Sequence, residues 1–138
     1  TSKMLMVIDK DNLNIVNTLN VSGENHTLFT GKNFTKSLIG IDSSVCIISS
    51  SLELSSCIEI DHAASKIFEL GSYALVFGLK DLTIIDSNLN IMNSYTSSSL
   101  GLNEFFPYLS LMHVAVNANE VFFSNYSSVY KIIFNGVN

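Results

Sequence analysis

The chain has 138 residues, of which 47% are hydrophobic and 14% are charged, so it carries enough apolar material for one folded domain and is too hydrophobic for a disordered segment. Seven Lys and no Arg face twelve acidic residues, for a net charge of −5. This balance argues against autonomous binding to nucleic acids or to anionic membranes, both of which need basic surfaces. The apolar runs are also far shorter than the roughly 20 residues of a membrane helix.

The first predicted element is a β-hairpin within residues 6–18, and residues 82–95 repeat its pattern. In both segments an apolar strand ends in Ile-Asp, a polar turn follows, and a second strand begins with Leu-Asn-Ile. Weaker copies lie at residues 46–58 and 121–134. The polar residue that ends the first strand falls at Asp9, Ser49, Asp86 and Ser124, with spacings of 40, 37 and 38 residues. This period indicates a structural repeat.

Two further strands are predicted before each of the later hairpins. The nearer ones cover residues 38–41, 73–79 and 113–116, and the farther ones residues 26–34, 65–70 and 105–111. Four strands per repeat are typical of a β-propeller blade. We therefore predict an all-β fold, a β-propeller segment of about three and a half four-stranded blades, with blade remnants at residues 1–22, 23–60, 61–96 and 97–138. The alternatives are a small β-sandwich or barrel and, locally, a helical turn capped by Asp61.

Two dipeptides and two histidines carry a family resemblance. Ile8-Asp9 and Ile85-Asp86 end the third strand of their repeats, where WD40 blades have Trp-Asp. His26 and His62 lie between repeats, near the place of the Gly-His pair of that family, although Asp61 precedes His62. The chain thus resembles WD40-type and YVTN-type β-propeller repeats over nearly its whole length, with degenerate motifs. The resemblance implies the architecture and no particular functional residue.

The number of blades suggests a function. Propellers close with four to eight blades, and an open arc leaves strand edges and an apolar sheet face exposed. We therefore expect the chain to be part of a larger β-propeller, either a piece of a longer chain or an arc that protein partners complete. Its expected function is that of a non-enzymatic scaffold or protein–protein interaction module within a multi-subunit assembly. The alternative is a propeller enzyme or small-ligand-binding domain whose site is completed by residues outside this chain.

The polar residues show no pattern of catalysis or metal binding. His26, His62 and His113 have no metal-ligand spacing, and residues 9–14 lack the Gly and Glu of a calcium loop. The chain has neither a Gly-x-Ser-x-Gly motif nor a phosphate-binding glycine loop. We predict no catalytic, cofactor or metal site, and we interpret Asp86 as a turn-capping residue rather than a catalytic acid.

The segment with the strongest pattern for recognition is residues 100–108, which contains the only Pro. Phe105, Phe106 and Tyr108 are three aromatic residues within four positions, and such residues anchor many protein interfaces. We predict that they bind a partner. The alternative is an inter-blade loop whose aromatic side chains fill the core.

Cys46 and Cys57 are the only cysteines. A tight turn at Ser51 and Leu52 would place them opposite each other, so a disulfide is geometrically possible, but the sequence favours reduced core residues. Glycosylation tripeptides begin at Asn20, Asn25, Asn33 and Asn125, as chance allows in a chain this rich in Asn, Ser and Thr. We predict an intracellular location, cytoplasmic or nuclear, with an extracellular glycoprotein module as the alternative.

Overall fold

A computed structural model describes residues 2–24, 26–101, 113–117, 120–124 and 129–134. Within these ranges the regular structure consists of thirteen β-strands and one short 3₁₀ helix, Ser98–Leu100. The predicted all-β fold is confirmed. No helix in the described part of the chain is long and apolar enough to cross a membrane.

The strands form four antiparallel sheets in chain order, and in each sheet every strand pairs with the next one along the chain. Sheet 1 contains β1 (Ser2–Ile8) and β2 (Ile15–Ser22). Sheet 2 contains β3 (His26–Thr30), β4 (Ser37–Ile41), β5 (Ser44–Ile48) and β6 (Leu54–Glu59). Sheet 3 contains β7 (Lys66–Leu70), β8 (Tyr73–Phe77), β9 (Asp81–Ile85) and β10 (Ile91–Thr96). Sheet 4 contains β11 (His113–Asn117), β12 (Glu120–Ser124) and β13 (Val129–Ile133).

The sheets are stacked face to face, and an apolar cluster fills the space between each sheet and the next. Strand β8 shows how the sequence produces this arrangement. Successive side chains of a strand point to opposite faces, so Ala74 and Val76 pack towards sheet 2 while Leu75 and Phe77 pack towards sheet 4. Because both faces of sheet 3 are covered, its central strands are continuous apolar runs without polar alternation.

The strands also differ in their distance from the interior of the stack. Strand β7 contacts β3 of sheet 2 and β11 of sheet 4, whereas the last strands β6 and β10 are exposed along most of their length. First strands on the inside and last strands on the outside give a propeller-like segment, and its sheets are open rather than closed into a ring. The alternative of a β-sandwich is wrong, because a sandwich has two packed sheets and this chain has four sheets stacked in series. The alternative of a helical turn capped by Asp61 is wrong, because residues 61–65 form a bend and an extended connection before β7.

Polar contacts fix the spacing of the stacked sheets. The carboxylate of Glu69 on β7 accepts hydrogen bonds from the backbone N–H groups of Asn33 (2.8 Å) and Phe34 (3.0 Å), in the loop before β4. The carboxylate of Asp42 accepts one from the N–H of Glu24 (2.9 Å), and the carbonyl of Asp42 accepts one from the N–H of Ala64 (2.7 Å). Asp42 therefore ties the connections on both sides of sheet 2 to that sheet, and Glu69 ties sheet 3 to a loop of sheet 2.

Three hairpin turns end in a Leu, and the turn from Asp9 to Leu13 is one residue longer than the other two. Leu13, Leu52 and Leu89 donate their backbone N–H to the carbonyls of Asp9, Ser49 and Asp86, at 2.8, 3.0 and 3.0 Å. Their φ angles are 61, 63 and 62°, in the left-handed region where hairpins of this kind ordinarily place Gly. A side chain there costs about 1–2 kcal/mol. The side chains of Leu52 and Leu89 pack in the apolar clusters between sheets, and this packing offsets the cost.

The carboxylate of Asp86 organises the turn of the third hairpin. It accepts hydrogen bonds from the N–H groups of Asn88 (2.9 Å) and Asn90 (2.8 Å) and from the side-chain amide of Asn90 (3.0 Å). The turn-capping role predicted for Asp86 is confirmed. Burial raises the pKa of Asp86, but these hydrogen bonds favour the charged form more strongly, so the pKa lies below its ordinary value.

We expect Asp86→Ala to lower the free energy of unfolding by about 1 kcal/mol at neutral pH, because it removes charge-assisted hydrogen bonds at a partly exposed site. A lowered pKa stabilises the folded state fully above the unfolded value of about 3.9, and this contribution is lost as the pH falls through the folded value. Urea unfolding of both proteins at pH 7 and at about pH 2 measures the difference. The exposed Asp11 provides the control Asp11→Ala, and an Asp86→Ala effect of equal size at both pH values would contradict the capping role.

Candidate functional site: the uncovered face of sheet 1

Strands β1, β5 and β9 occupy equivalent positions in the repeat and differ in what covers them. Ile8, Ile48 and Ile85 are the residues that precede Asp9, Ser49 and Asp86. Ile48 is 7% exposed in the cluster between sheets 1 and 2, and Ile85 is 0% exposed in the cluster between sheets 2 and 3. Each of these two residues therefore packs against the preceding sheet. Ile8 is 50% exposed.

The rest of sheet 1 shows the same imbalance between its two faces. Met4, Met6 and Ile8 alternate along β1 and are all about half exposed, whereas Leu5 points the other way and packs against the cluster shared with sheet 2. Ile15 pairs directly with Ile8 and is also exposed. The hairpin leucine between the two strands extends this surface. We call Met4, Met6, Ile8, Leu13 and Ile15 the sheet 1 face.

The hairpin leucines differ in burial from sheet to sheet in the same way as the isoleucines. Leu89 is 7% exposed in the cluster between sheets 2 and 3, and Leu52 packs against the cluster between sheets 1 and 2. Leu13 has the same strained backbone but is 76% exposed. The sheet 1 face therefore has the same kind of apolar residues as the faces that pack between sheets. Within the described part of the chain, no sheet covers it.

The chemistry of this face suits binding by burial rather than catalysis. Its five side chains are aliphatic or thioether groups, and Thr18 and Asn20 lie opposite Met6 and Met4 on β2. In the described part of the chain β1 pairs only with β2, so the other edge of β1 presents backbone N–H and C=O groups to an additional strand. A partner could therefore both cover the face and extend the sheet.

The aromatic residues predicted to bind a partner, Phe105, Phe106 and Tyr108, lie outside the residues that the structure describes. Their role stays a prediction.

A cavity with a volume of about 360 Å³ includes Asp61, His62, Asp81 and Thr83 in its lining. Both ring nitrogens of His62 are engaged, Nε2 with the hydroxyl of Thr83 at 2.8 Å and Nδ1 with the carbonyl of Ala63 at 2.9 Å. His62 thus holds the connection between sheets 2 and 3 in place. Among the described residues, no group of three or more His, Cys, Asp or Glu side chains is arranged to hold a metal ion.

The expectation of reduced cysteines is wrong, since Cys46 and Cys57 form a disulfide. The register of β5 and β6 places the two residues directly opposite each other, with their Cα atoms 4.0 Å apart. Cys46 is buried in the cluster between sheets 1 and 2. The bond therefore links an outer strand to the packed interior of the stack.

Sequence reasoning missed the sheet 1 face, although the signal was present in the repeat. The alignment that relates Asp9, Ser49 and Asp86 also relates the isoleucines before them and the leucines after them. What the alignment could not show is which of the equivalent faces is covered. Searches with the chain find no matching family model and no matching curated protein.

Proposed function

We propose that the protein is a non-enzymatic scaffold, a protein–protein interaction module that forms part of a larger WD40-like β-propeller within a multi-subunit assembly. The observation that carries this proposal is the exposure of the sheet 1 face. In sheets 2 and 3 the equivalent residues are buried by a neighbouring sheet. A further blade packed in the same way would cover Met4, Met6 and Ile8 in turn.

The energetic argument for a partner is the apolar area that the partner would bury. Burial of apolar surface contributes about 25 cal/mol per Å², and monomers rarely leave a contiguous apolar face in water. The sheet 1 face combines five exposed apolar residues with an open strand edge. A partner sheet packed on this face would bury the apolar side chains, and a partner strand added beside β1 would pair its open edge.

The cellular compartment of the protein is indicated by the oxidation state of its two cysteines and is tested separately from the function. A cytoplasmic or nuclear location remains a prediction, and the Cys46–Cys57 disulfide weighs against it because intracellular thiols keep most cysteines reduced. Thiol labelling of the protein under denaturing conditions, immediately after its isolation without reductant, measures the state of the two cysteines. Free thiols would support the intracellular prediction, and blocked thiols an oxidising compartment.

The proposed function predicts that the protein is isolated from its natural source together with other protein subunits. The experiment is native mass spectrometry of the particle isolated from its natural source. Met6→Lys with Ile8→Lys should release the chain, because charged side chains cannot be buried without partners. Met92→Lys is the matched control, since Met92 is equally exposed but lies on the outer strand β10. A native particle that contains no second polypeptide would contradict the proposal.

A further inference from the structure

We propose that the Cys46–Cys57 disulfide is a reversible redox switch that controls how firmly the outer strand β6 is held on sheet 2. In the oxidised form the bond joins β6 covalently to the packed strand β5. In the reduced form β6 is held by its backbone hydrogen bonds and few side-chain contacts, so it separates from β5 more readily. The switch is a property beyond the proposed scaffold function and does not depend on what covers the sheet 1 face.

The two ends of the disulfide lie in different surroundings. Cys46 is 3% exposed and packs in the cluster between sheets 1 and 2, together with Val21, Ile39 and Ile48. Cys57 is exposed and lies on β6, which pairs only with β5 in the described part of the chain. Because thiol–disulfide exchange requires access to a sulfur atom, a reductant in solution reaches the bond at Cys57.

Within the described residues, few other contacts hold β6 to the stack. Ile58 is partly buried, and the other five residues of the strand are exposed. The ladder with β5 contains a register shift between Cys46 and Ile48, directly beside the disulfide. Glu59 at the end of the strand accepts hydrogen bonds from two serine hydroxyls at and just before the start of β5. Since segments with few buried contacts open first, the covalent bond decides how firmly β6 is held.

Sheet 3 shows that the repeat builds the same outer strand without a disulfide. Strand β10 has the burial pattern of β6, with its fifth residue alone partly buried, and its pairing with β9 also contains a register shift. The facing pair that lies 37 residues after Cys46 and Cys57 is Thr83 and Ser94. The fold therefore accepts an unlinked pair at this place, and reduction should leave sheet 2 four-stranded, with β6 held about as firmly as β10.

The exchange reaction balances with a dithiol as the reductant. The first thiolate of the dithiol attacks Sγ of Cys57 and forms a mixed disulfide, while the bond to Cys46 breaks and Sγ of Cys46 leaves with the electron pair and takes a proton. The second thiolate attacks the reductant's own sulfur in the mixed disulfide, which releases Cys57 to take a proton. The dithiol thus becomes a disulfide, and its two electrons and two protons pass to the cysteines. A disulfide oxidant reverses the reaction.

The test is hydrogen–deuterium exchange of the protein in its native particle, oxidised with glutathione disulfide and then reduced with dithiothreitol in the absence of denaturant. Reduction should speed the exchange of the β6 amides by about tenfold or more, to a rate similar to that of the β10 amides. The amides of β8 and β9 should keep their protection. Renewed oxidation with glutathione disulfide should restore the slow exchange of β6.

Cys57→Ser is the matched variant. It removes the bond and places on β6 the residue type that Ser94 provides on β10. This variant should show fast exchange of the β6 amides without any reductant, and dithiothreitol should not change that rate. Because the oxidised and reduced forms of the unaltered protein are the same chain, the main measurement does not depend on the folding of the variant.

The switch is overturned if glutathione disulfide does not form the bond, or if dithiothreitol reduces it only in urea. Unchanged exchange of the β6 amides after reduction would show that other contacts hold the strand, and would overturn it as well. Loss of protection in β8 and β9 on reduction would mean that the bond holds the whole fold rather than one strand. Each of these results leaves the scaffold function standing, since that function is tested by the composition of the native particle.

Discussion

Phe77→Ala is expected to lower the free energy of unfolding by about 3–5 kcal/mol, the range typical of a large aromatic side chain removed from a packed core. Phe77 is fully buried at the end of β8 and packs in the cluster between sheets 3 and 4. Its ring meets that of Phe68 on the neighbouring strand edge to face, with the centroids 5.8 Å apart. Removal of the ring leaves a cavity between two sheets whose backbones are fixed by their own hydrogen bonds, so the site can collapse only partly.

Urea unfolding monitored by circular dichroism measures this effect, and Leu79→Ala is the matched control. Leu79 lies two residues further along the chain and is largely exposed, so its truncation should change stability by less than about 0.5 kcal/mol. Equal losses in the two variants would mean that the face of sheet 3 towards sheet 4 is not a packed interface. A change confined to Phe77→Ala supports the face-to-face stacking of the sheets.

The strands were predictable because their patterns are local. The hairpin around Asp86 follows from an apolar run, a polar turn and a second run, and the strand at residues 73–79 follows from a short apolar run bounded by turn residues. Burial on both faces of β8 did not follow, since a short apolar run has the same composition whether one face or both are covered. The stacking of the sheets decides that, and stacking is a long-range property.

The disulfide and the sheet 1 face also could not be predicted from local sequence patterns. The turn at Ser51 and Leu52 indicated that Cys46 and Cys57 lie opposite each other, but no sequence pattern fixes the oxidation state of two cysteines. The prediction of a partner-binding segment at residues 105–108 rested on clustered aromatic residues, which the composition alone reveals. The sheet 1 face has an ordinary composition and becomes distinctive only because equivalent residues in sheets 2 and 3 are buried.

Replacement of the hairpin leucines by Gly is expected to change stability in opposite directions. Leu13→Gly should raise the free energy of unfolding by about 0.5–1 kcal/mol, because it relieves a left-handed backbone at the cost of some chain entropy and loses little packing. Leu89→Gly relieves the same strain but removes a side chain that is 7% exposed between sheets 2 and 3. Since truncation of a buried Leu costs about 2–5 kcal/mol, a net loss of about 2–3 kcal/mol is expected.

Thermal and urea unfolding of the two variants at a concentration where the chain is monomeric measures both effects. A loss of stability in Leu13→Gly would show that its side chain is already packed within one chain, contrary to its exposure in the structure. A gain in stability would show that the left-handed leucine lowers the stability of the fold wherever no sheet covers it. Leu52 and Leu89 have the same backbone conformation, and their side chains pack between sheets of the chain.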